Sequence, residues 1–398
     1  MKRLVIVGGG FSGVRLARKL GKRKDLNVTL INSGADFRYS PAMYRAATGY
    51  KTGVARIPLE WMLLDSKNIE IVIDQAQSID KKNKLISTKS GLQIDYDLAA
   101  FGLGSMTTYF GIKGLDKLSF GIKTTEEIDA LRKHIHESVT TATNAEINYV
   151  VVGAGPTGIE LAAALGGYVR SIYKKHHISR KNGLKIWLVE AAPRILPMMS
   201  EKASKKTAKR LLKFGVKVLT NTLVHEESLG RLETSIGPIE THTVIWTAGA
   251  AVNNFYKDNK EQFEFGEKGK IKVGKYLDSD SSIYVMGDNA DTRFSGLAYT
   301  AVKDADFVAS DIKKRISHKK RRGRKDHRPI QIVPAGKGWA VLQYGWFVIS
   351  GKPAAFMRRI ADIIGYTDVM GLLKSLTIWT NSDIEVDGCT TCHSRRGK

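Results

Sequence analysis

Residues 4–13 read Leu-Val-Ile-Val-Gly-Gly-Gly-Phe-Ser-Gly, a short apolar run that leads into a glycine-rich turn. Residues 149–158 repeat the arrangement as Tyr-Val-Val-Val-Gly-Ala-Gly-Pro-Thr-Gly. A helix-like stretch follows each turn. A dinucleotide pyrophosphate requires a tight turn, bare backbone and the positive end of a helix, and both stretches meet these requirements. The pair therefore predicts two dinucleotides in one polypeptide, with electrons passing between them.

The length and composition are those of a globular enzyme with two or three domains. The chain has 398 residues, of which 42% are hydrophobic and 26% charged, so it can bury a large core. No window approaches the run of about 18 apolar residues that crosses a bilayer. Residues 1–3 lead directly into the first strand, and we expect no cleavable export signal. These features predict a cytoplasmic protein, or one bound peripherally to the cytoplasmic face of the cell membrane.

The formal net charge of +24 predicts attraction to something anionic. Much of the excess lies in residues 313–328, here called the basic segment, which lacks interleaved aromatic residues. That lack argues against a stacking platform for single-stranded nucleic acid. Two interpretations of the basic segment remain open, namely a solvated linker and contact with anionic lipid head groups.

The order of strand and helix patterns predicts an α/β fold in which one Rossmann-like domain is inserted into another. Residues 283–289 read as a strand that rejoins the first unit, and strands ending in small residues occur at 101–107 and 244–249. The predicted boundaries are 1–113 with 250–328 for the first unit, 114–249 for the second unit, and 329–398 for a small C-terminal α+β region.

The C-terminal region begins with alternating residues 333–350, which predict a hairpin, and continues with two amphipathic stretches. The residues that form their apolar faces are Phe356, Ile360, Ile363 and Ile364 in the first stretch and Leu372, Leu373, Leu376 and Trp379 in the second. Arg358, Arg359 and Asp362 lie opposite the first of these faces. The pattern predicts membrane docking, or alternatively core packing or a homodimer interface.

Three polar residues assign the two nucleotides. Glu190 ends the second strand of the second unit, where a carboxylate binds the adenosine ribose and repels a 2′-phosphate, so NADH is favoured over NADPH. Asn32 fills the same place in the first unit and can bond the diol without charge assistance. Asp288 follows a strand that returns to the first unit, where it could bond a ribityl chain, and this favours FAD there. The alternative for Asp288 is an ordinary strand-ending turn.

These stretches resemble the type II NADH:quinone oxidoreductases, single-subunit flavoproteins of the larger two-dinucleotide-binding reductase superfamily. The matching stretches, within roughly residues 1–310, are 28–32, 37–41, 102–111, 150–165, 188–197, 244–249 and 284–289. The resemblance implies non-covalent FAD, a hydride passed from NADH to FAD, and two electrons then passed to a membrane quinone of a respiratory chain without proton pumping.

The resemblance also implies site residues. The FAD contacts that it implies are Gly8, Gly9, Gly10, Phe11, Ser12, Gly13, Asn32, Ala76, Ser105, Asp288, Ala298, Tyr299 and Lys337. The NADH contacts are Gly153, Gly155, Pro156, Thr157, Gly158, Glu160, Glu190 and Gly249. Glu160 matches a catalytic glutamate that faces the nicotinamide and flavin, where it could orient the carboxamide or tune the reduced flavin. The alternative for Glu160 is a helix N-terminal acid that interacts with the dipole, and for Lys337 a turn lysine in solvent.

The sequence departs from the family at the quinone site. Family members commonly show Ala-Gln-x-Ala-x-Gln where residues 298–303 read Ala-Tyr-Thr-Ala-Val-Lys. Tyr299 and Lys303 can still hydrogen-bond a quinone, and we predict that they do. The departure leaves two alternatives open. One is a soluble NADH reductase with a protein or small aromatic acceptor, and the other is a basic flavoprotein like apoptosis-inducing factor that binds nucleic acid.

The only two cysteines are Cys389 and Cys392, which precede His393 in a pattern typical of c-type haem attachment. The other interpretations are an incomplete metal or redox pair and a functionally minor tail, and no metal site is predicted. Disulfide reductases and sulfide:quinone oxidoreductases of this superfamily need cysteines near the flavin. Residues 1–388 contain none, so we expect electrons to pass directly from flavin to acceptor.

Overall fold

The computed structural model of the chain describes residues 1–141, 148–178, 184–266 and 268–382. The predictions for Cys389, Cys392 and His393 lie outside these residues. The predicted fold class is confirmed, because two sheets, parallel except at the edge strand Asp278–Asp280, form the first and second units with flanking helices and a smaller α+β region follows.

The first unit begins with a strand, turn and helix that coincide with the predicted pattern. Its elements before the insertion are β1 (Lys2–Val7), α1 (Phe11–Leu20), β2 (Leu26–Asn32), β3 (Asp36–Arg38), α2 (Met43–Ala47), β4 (Arg56–Pro58), α3 (Leu59–Leu63), β5 (Ile69–Ile73), β6 (Ala76–Asp80), β7 (Leu85–Thr88), β8 (Gln93–Asp95), β9 (Leu98–Phe101) and β10 (Met106–Thr107). All four residues of β9 are buried, as expected for a parallel strand covered on both faces.

The second unit repeats this architecture around a smaller sheet. Its elements are α4 (Leu115–Leu118), α5 (Thr125–Thr141), β11 (Asn148–Val152), α6 (Pro156–Lys175), β12 (Lys185–Val189), α7 (Glu201–Lys213), β13 (Val216–Leu219), β14 (Val224–Ser228), β15 (Arg231–Thr234), β16 (Ile239–Glu240) and β17 (Thr243–Trp246). The sequence predicts that α6 ends at Gly166, but the helix continues to Lys175. Gly166 lies against Ile186 of β12 and allows the helix to pack closely on the sheet.

The chain then returns to the first sheet. The returning elements are β18 (Ala250–Ala251), α8 (Asn254–Asp258), β19 (Asp278–Asp280), β20 (Ile283–Val285) and α9 (Ala298–Ile316). The completed sheet has the order β19-β20-β9-β1-β2-β5 and the sheet of the second unit has the order β13-β12-β11-β17. The predicted strand over 283–289 ends at Val285, because Gly287–Asn289 turns as a 3-10 helix.

The C-terminal region contains the predicted hairpin and two helices. Its elements are β21 (Gln331–Pro334), β22 (Ala340–Tyr344), β23 (Phe347–Gly351), α10 (Lys352–Met370) and α11 (Leu372–Thr380). The α10 helix docks on the first unit through Tyr366, whose ring stacks on Tyr39 with centroids 3.9 Å apart. Within the described ranges, no helix has the length and hydropathy needed to cross a membrane.

Candidate active site

The two glycine-rich turns adopt the same backbone conformation. Gly8 has a φ of +105° and Gly153 a φ of +100°, both in the region that favours glycine. Each also approaches the loop after another strand of its sheet. A Cβ on Gly8 would lie 2.5 Å from the carbonyl oxygen of Gly102, and one on Gly153 would lie 2.8 Å from the backbone nitrogen of Ala248. Any other residue would disrupt these turns.

The last glycine of each turn lets the following helix pack on the turn itself. A Cβ on Gly13 would overlap the carbonyl oxygen of Gly8, and one on Gly158 would overlap that of Gly153. The helices α1 and α6 therefore begin with their first N–H groups beside bare backbone, and no side chain caps either N-terminus. Uncapped N–H groups at a glycine turn fit the pyrophosphate of a dinucleotide.

Asn32 and Glu190 occupy equivalent positions in the two units. The backbone N–H of Gly9 donates to Oδ1 of Asn32 at 2.8 Å, and that of Ala154 donates to Oε2 of Glu190 at 2.7 Å. Glu190 also accepts from the backbone N–H of Ala192 at 2.9 Å. Both side chains thus lie directly beside the turns, where a ribose diol would be within reach.

The structure brings Ser105 and Asp288 together although they are far apart in the sequence. The hydroxyl of Ser105 donates to Oδ2 of Asp288 at 2.9 Å. The neighbouring Asn289 is fully buried and its Nδ2 donates to the carbonyl oxygen of Gly104 at 2.8 Å. Sequence reasoning missed Asn289, since an amide next to a predicted carboxylate gives no separate signal.

Comparison with known proteins identifies the family. The model of the family described as pyridine nucleotide-disulphide oxidoreductase matches residues 2–305. The chain belongs to this oxidoreductase family. The type II NADH:quinone oxidoreductase Ndh of Mycobacterium tuberculosis is 27% identical over 387 residues, spanning 91% of this chain and 82% of that protein. The type II NADH:quinone oxidoreductase of Staphylococcus haemolyticus is 25% identical, spanning 91% and 94% of the two chains. The predicted resemblance is thereby confirmed.

Solved structures confirm the fold of this oxidoreductase. NDH2 from Plasmodium falciparum, in complex with NADH, has a TM-score of 0.82 at 16% identity and covers 96% of this chain and 97% of its own. The sulfide:quinone oxidoreductase of Aquifex aeolicus has a TM-score of 0.74 at 19% identity, covering 95% and 92%. The shared fold does not extend to cysteine chemistry, because residues 1–388 of this oxidoreductase contain no cysteine.

Gly249 lies where the two units of the oxidoreductase meet. It has a φ of +74°, and a Cβ there would lie 2.5 Å from the carbonyl oxygen of Thr108 in the first unit. Lys123 Nζ donates to the carbonyl oxygen of Gly249 at 3.3 Å. Burial lowers the pKa of Lys123, while Asp288 raises it. The predicted NADH loop therefore lies against Thr108 of the first unit, and its carbonyl accepts from Lys123 of the second unit, a residue that sequence reasoning missed.

Glu160 belongs to a buried cluster of two acids and two arginines. Its Oε1 lies 3.4 Å from Nη1 of Arg358, whose Nε lies 3.1 Å from Oδ1 of Asp362. The other oxygen of Asp362 accepts from Nη2 of Arg45 at 2.6 Å. The side chains of Arg358 and Asp362 are 11% and 5% exposed. The cluster joins α6 of the second unit, α2 of the first unit and α10 of the C-terminal region.

The cluster controls the protonation of Glu160. Burial raises the pKa of Glu160 to about 7, against the opposing attraction of Arg358 and Arg45. The first turn of α6 contains no acidic residue, so the helix-dipole alternative for Glu160 is not supported. A carboxyl of this kind can exist in both protonation states near neutrality.

Arg358 also binds two backbone carbonyls. Its Nη2 donates to the oxygen of Pro41 at 2.9 Å, and its Nη1 donates to that of Ile332 at 3.1 Å. The sequence places Arg358 on the polar face of an amphipathic helix, but it does not indicate that this face is buried. The one available signal was the opposite charge of Arg358 and Asp362 at a spacing of four residues.

Lys337 lies in the turn between β21 and β22 and faces a large cavity. This cavity, of about 990 Å³, also includes Tyr44, Gly167, Phe356 and Arg358 in its lining. The structure thus associates Lys337 with the region of the buried cluster. The backbone oxygen of Lys337 accepts from Arg210 of α7 at 3.4 Å. A contact between Lys337 and FAD remains a prediction.

Tyr299 and Lys303 lie together on the first turns of α9. The Nζ of Lys303 is 5.5 Å from the centroid of the Tyr299 ring. Both residues line a cavity of about 270 Å³ with Thr300, Arg324 and His327. The contact of Tyr299 and Lys303 with a quinone remains a prediction. The contact of Ala298, the first residue of α9, with FAD also remains a prediction. Ala76, another predicted FAD contact, is buried at the start of β6.

Proposed function

We propose that this protein is a type II NADH:quinone oxidoreductase that binds FAD in the first unit and NADH in the second. Bound FAD would supply the capacity to accept a hydride from NADH and to pass two electrons to a membrane quinone. The observation that supports the proposal most directly is the pair of matching turns with uncapped helix N-termini. It is strengthened by the relatives of the same name, whose matches span most of both chains.

The residues of each turn would hold one pyrophosphate through backbone N–H groups. Residues 8–13 and 153–158 supply these groups at the positive ends of α1 and α6. Glu190 would accept hydrogen bonds from the adenosine ribose of NADH, and Asn32 would bond that of FAD. The hydroxyl of Ser105 and the carboxylate of Asp288 would bind the polar chain that links the FAD ring to its phosphates.

Glu160 would act as a source of adjustable charge beside the reacting rings. Its carboxyl holds a proton below about pH 7 and a negative charge above it, while Arg358 stays positive at both. We propose that Glu160 orients the nicotinamide carboxamide and adjusts the local electrostatic potential by gaining or losing this proton.

The variant Glu160→Gln is expected to become more stable relative to the wild type as the pH rises from 5 to 8. The folded pKa of about 7 lies above the ordinary value of about 4.5 for a glutamate in the unfolded chain. The folded state therefore binds more protons between these values, and the wild type loses stability across that interval, by on the order of 2 kcal/mol. Glutamine does not titrate. Urea denaturation at pH 5 and pH 8 measures the difference between the two proteins.

The rate of flavin reduction by NADH, measured by stopped-flow absorbance, should show an inflection near pH 7 in the wild type. The pH profile of Glu160→Gln should lack this inflection. A wild-type profile that is flat between pH 6 and pH 8 would contradict the proposed role of Glu160. If the difference in unfolding free energy between the wild type and Glu160→Gln did not change with pH, the raised pKa of Glu160 would be contradicted.

We propose that the C-terminal region docks the enzyme on the membrane surface, on the cytoplasmic face of the cell membrane. The hairpin and the two helices of this region carry a set of exposed apolar side chains, here called the apolar patch. The exposed members of the patch are Tyr344, Trp346, Phe347, Phe356, Met357, Ile360, Ile364, Leu372, Leu373 and Leu376. Trp346 is 90% exposed and Leu373 is 82% exposed. Outward aromatic and leucine side chains beside exposed Lys352 and Arg359 suit an anionic lipid surface.

The apolar patch adjoins the large cavity at Phe356, which belongs to both. A hydrophobic quinone could therefore pass from lipid into the cavity beside Lys337 and Arg358 without crossing water. Tyr299 and Lys303 line a different cavity, so their proposed contact with the acceptor is a separate hypothesis from this route. A homodimer that buries the same patch is the alternative use of this surface.

The double variant Trp346→Ser/Leu373→Ser is expected to bind vesicles at least about tenfold more weakly than the wild type, because it removes two large apolar side chains from the interface. Co-sedimentation with vesicles of phosphatidylglycerol and phosphatidylcholine measures this. Leu229→Ser is the matched control, since Leu229 is 89% exposed but lies on the second unit. This variant should bind vesicles as tightly as the wild type does. If the double variant bound vesicles as the wild type does but sedimented as a monomer where the wild type sediments as a dimer, the apolar patch would be a homodimer interface.

Anaerobic titration tests the proposed function as a whole. We expect NADH to bleach the flavin absorbance and a soluble quinone analogue to restore it. Bleaching without reoxidation by quinone would favour the soluble reductase with another acceptor. Slow bleaching, together with DNA binding at physiological salt, would favour the basic nucleic-acid-binding flavoprotein.

A further inference from the structure

The basic segment is attached to the rest of the first unit at several arginines. Arg315 Nη1 donates to the hydroxyl of Tyr284 at 3.1 Å. The guanidinium of Arg321 donates to the carboxylate of Asp311 through both Nε and Nη2 and lies 3.7 Å from the centroid of the Tyr276 ring. A stretch whose composition is typical of a solvated linker is therefore held in place on one side.

Arg324 makes the deepest of these attachments. Its Nε lies 2.9 Å from Oδ1 of Asp304, a residue of α9 that is 0% exposed. The backbone N–H of Arg324 donates to the oxygen of Lys275 at 2.8 Å. Only 13% of the Arg324 side chain is exposed, so this contact is not a surface ion pair of the weak kind.

Asp304 connects Arg324 to the proposed FAD site. Its Oδ2 accepts from the backbone N–H of Gly287 at 3.0 Å. Gly287 has a φ of +70° and begins the turn that carries Asp288 toward Ser105. One carboxylate thus accepts from the arginine through one oxygen and holds the turn through the other.

The charge of Asp304 depends on its partners. Burial raises the pKa of Asp304, whereas Arg324 and the N–H of Gly287 lower it. Removing the guanidinium would leave a buried carboxylate without a counter-charge, which is costly. The protein would relieve this cost by protonating Asp304 or by admitting water, and either change weakens the hold on Gly287.

We propose that Arg324 is a positioning residue for FAD, which holds the Gly287–Asn289 turn in its binding conformation through the buried carboxylate of Asp304. The inference rests on the proposed binding of FAD in the first unit. It assigns to the basic segment a role within the oxidoreductase in addition to any contact with lipid.

The test compares Arg324→Gln with Arg322→Gln in the full-length holoenzyme. Both variants remove one positive charge from the same segment, but Arg322 is exposed and has no part in the proposed contacts. Release of FAD on heating and its dissociation constant are measured from flavin fluorescence. We expect Arg324→Gln to release FAD at a lower temperature and to bind it at least about tenfold more weakly, and Arg322→Gln to match the wild type.

The double variant Asp304→Asn/Arg324→Gln separates positioning from general destabilisation. An asparagine oxygen can still accept from Gly287 without requiring a counter-charge, so the double variant should regain most of the FAD affinity. Equal FAD affinity in Arg324→Gln and Arg322→Gln would overturn the inference, and failure of the rescue would overturn the route through Asp304. A wild type that binds no FAD would instead overturn the proposed cofactor, and the inference with it.

Discussion

The variant Arg358→Met is expected to lower the free energy of unfolding by about 3 to 5 kcal/mol. The substitution removes the guanidinium between Glu160 and Asp362 and leaves both carboxyl groups buried beside only one arginine. It also leaves the carbonyl oxygens of Pro41 and Ile332 without this donor. Methionine fills much of the volume, so the loss reflects charge and hydrogen bonding. Urea denaturation followed by circular dichroism measures the change.

Arg359→Met is the matched control for this prediction. Arg359 is the next residue of α10, is exposed, and lies 4.8 Å from the centroid of the Trp379 ring. An exposed contact of this kind contributes about 0.5 to 1 kcal/mol. An equal, small loss of stability in both variants would contradict a buried cluster in which Arg358 neutralises Glu160 and Asp362.

The variant Gly158→Ala is expected to lower the rate of flavin reduction by NADH at least about 100-fold while the protein keeps its FAD. Its Cβ would overlap the carbonyl oxygen of Gly153, so α6 must move away from the turn. Overpacking of this kind costs about 3 kcal/mol at the binding site. This cost corresponds to a reduction rate at least about 100-fold lower. The variant Gly13→Ala introduces the same overlap in the first unit, and we expect it to lose FAD instead.

Absorbance spectra of the purified variants and stopped-flow reduction by NADH distinguish the two outcomes. Gly167→Ala is the control for α6, because a Cβ at Gly167 meets no atom within 4 Å and alanine favours a helix. Loss of FAD in Gly158→Ala together with normal FAD in Gly13→Ala would reverse the assignment of nucleotides to the two units.

Much of the fold could be predicted because the relevant signals are local. The two glycine turns and the presence of a helix after each follow from adjacent residues whose conformational limits are strict, as the φ values of Gly8 and Gly153 illustrate. The length of α6 and the end of β20 were predicted wrongly. Both depend on packing, since α6 extends along β12 and the turn after Val285 is held by Asp304.

The residues of the candidate site also fall into those that local sequence predicts and those that only the tertiary structure shows. Asn32 and Glu190 stand at strand ends that the sequence pattern locates, and the structure places each beside its glycine turn. Asp288 lies in the turn after β20 and accepts from Ser105, a contact that the sequence did not predict. Arg358 and Asp304 gave no such signal. Each acts through a residue from another part of the chain, and a single sequence does not record which distant residues meet.

The sequence alone determined that two dinucleotide turns exist and that residues 1–388 contain no cysteine; it also supplied the proposed assignment of one nucleotide to each unit. These conclusions depend on backbone conformation and residue type, which neighbouring residues specify. Only the tertiary structure decided which face of α10 is buried and where the basic segment is attached. Burial depends on what packs against a face, so the same amphipathic helix can bury its arginine and expose its isoleucines when a buried carboxylate such as Glu160 faces it.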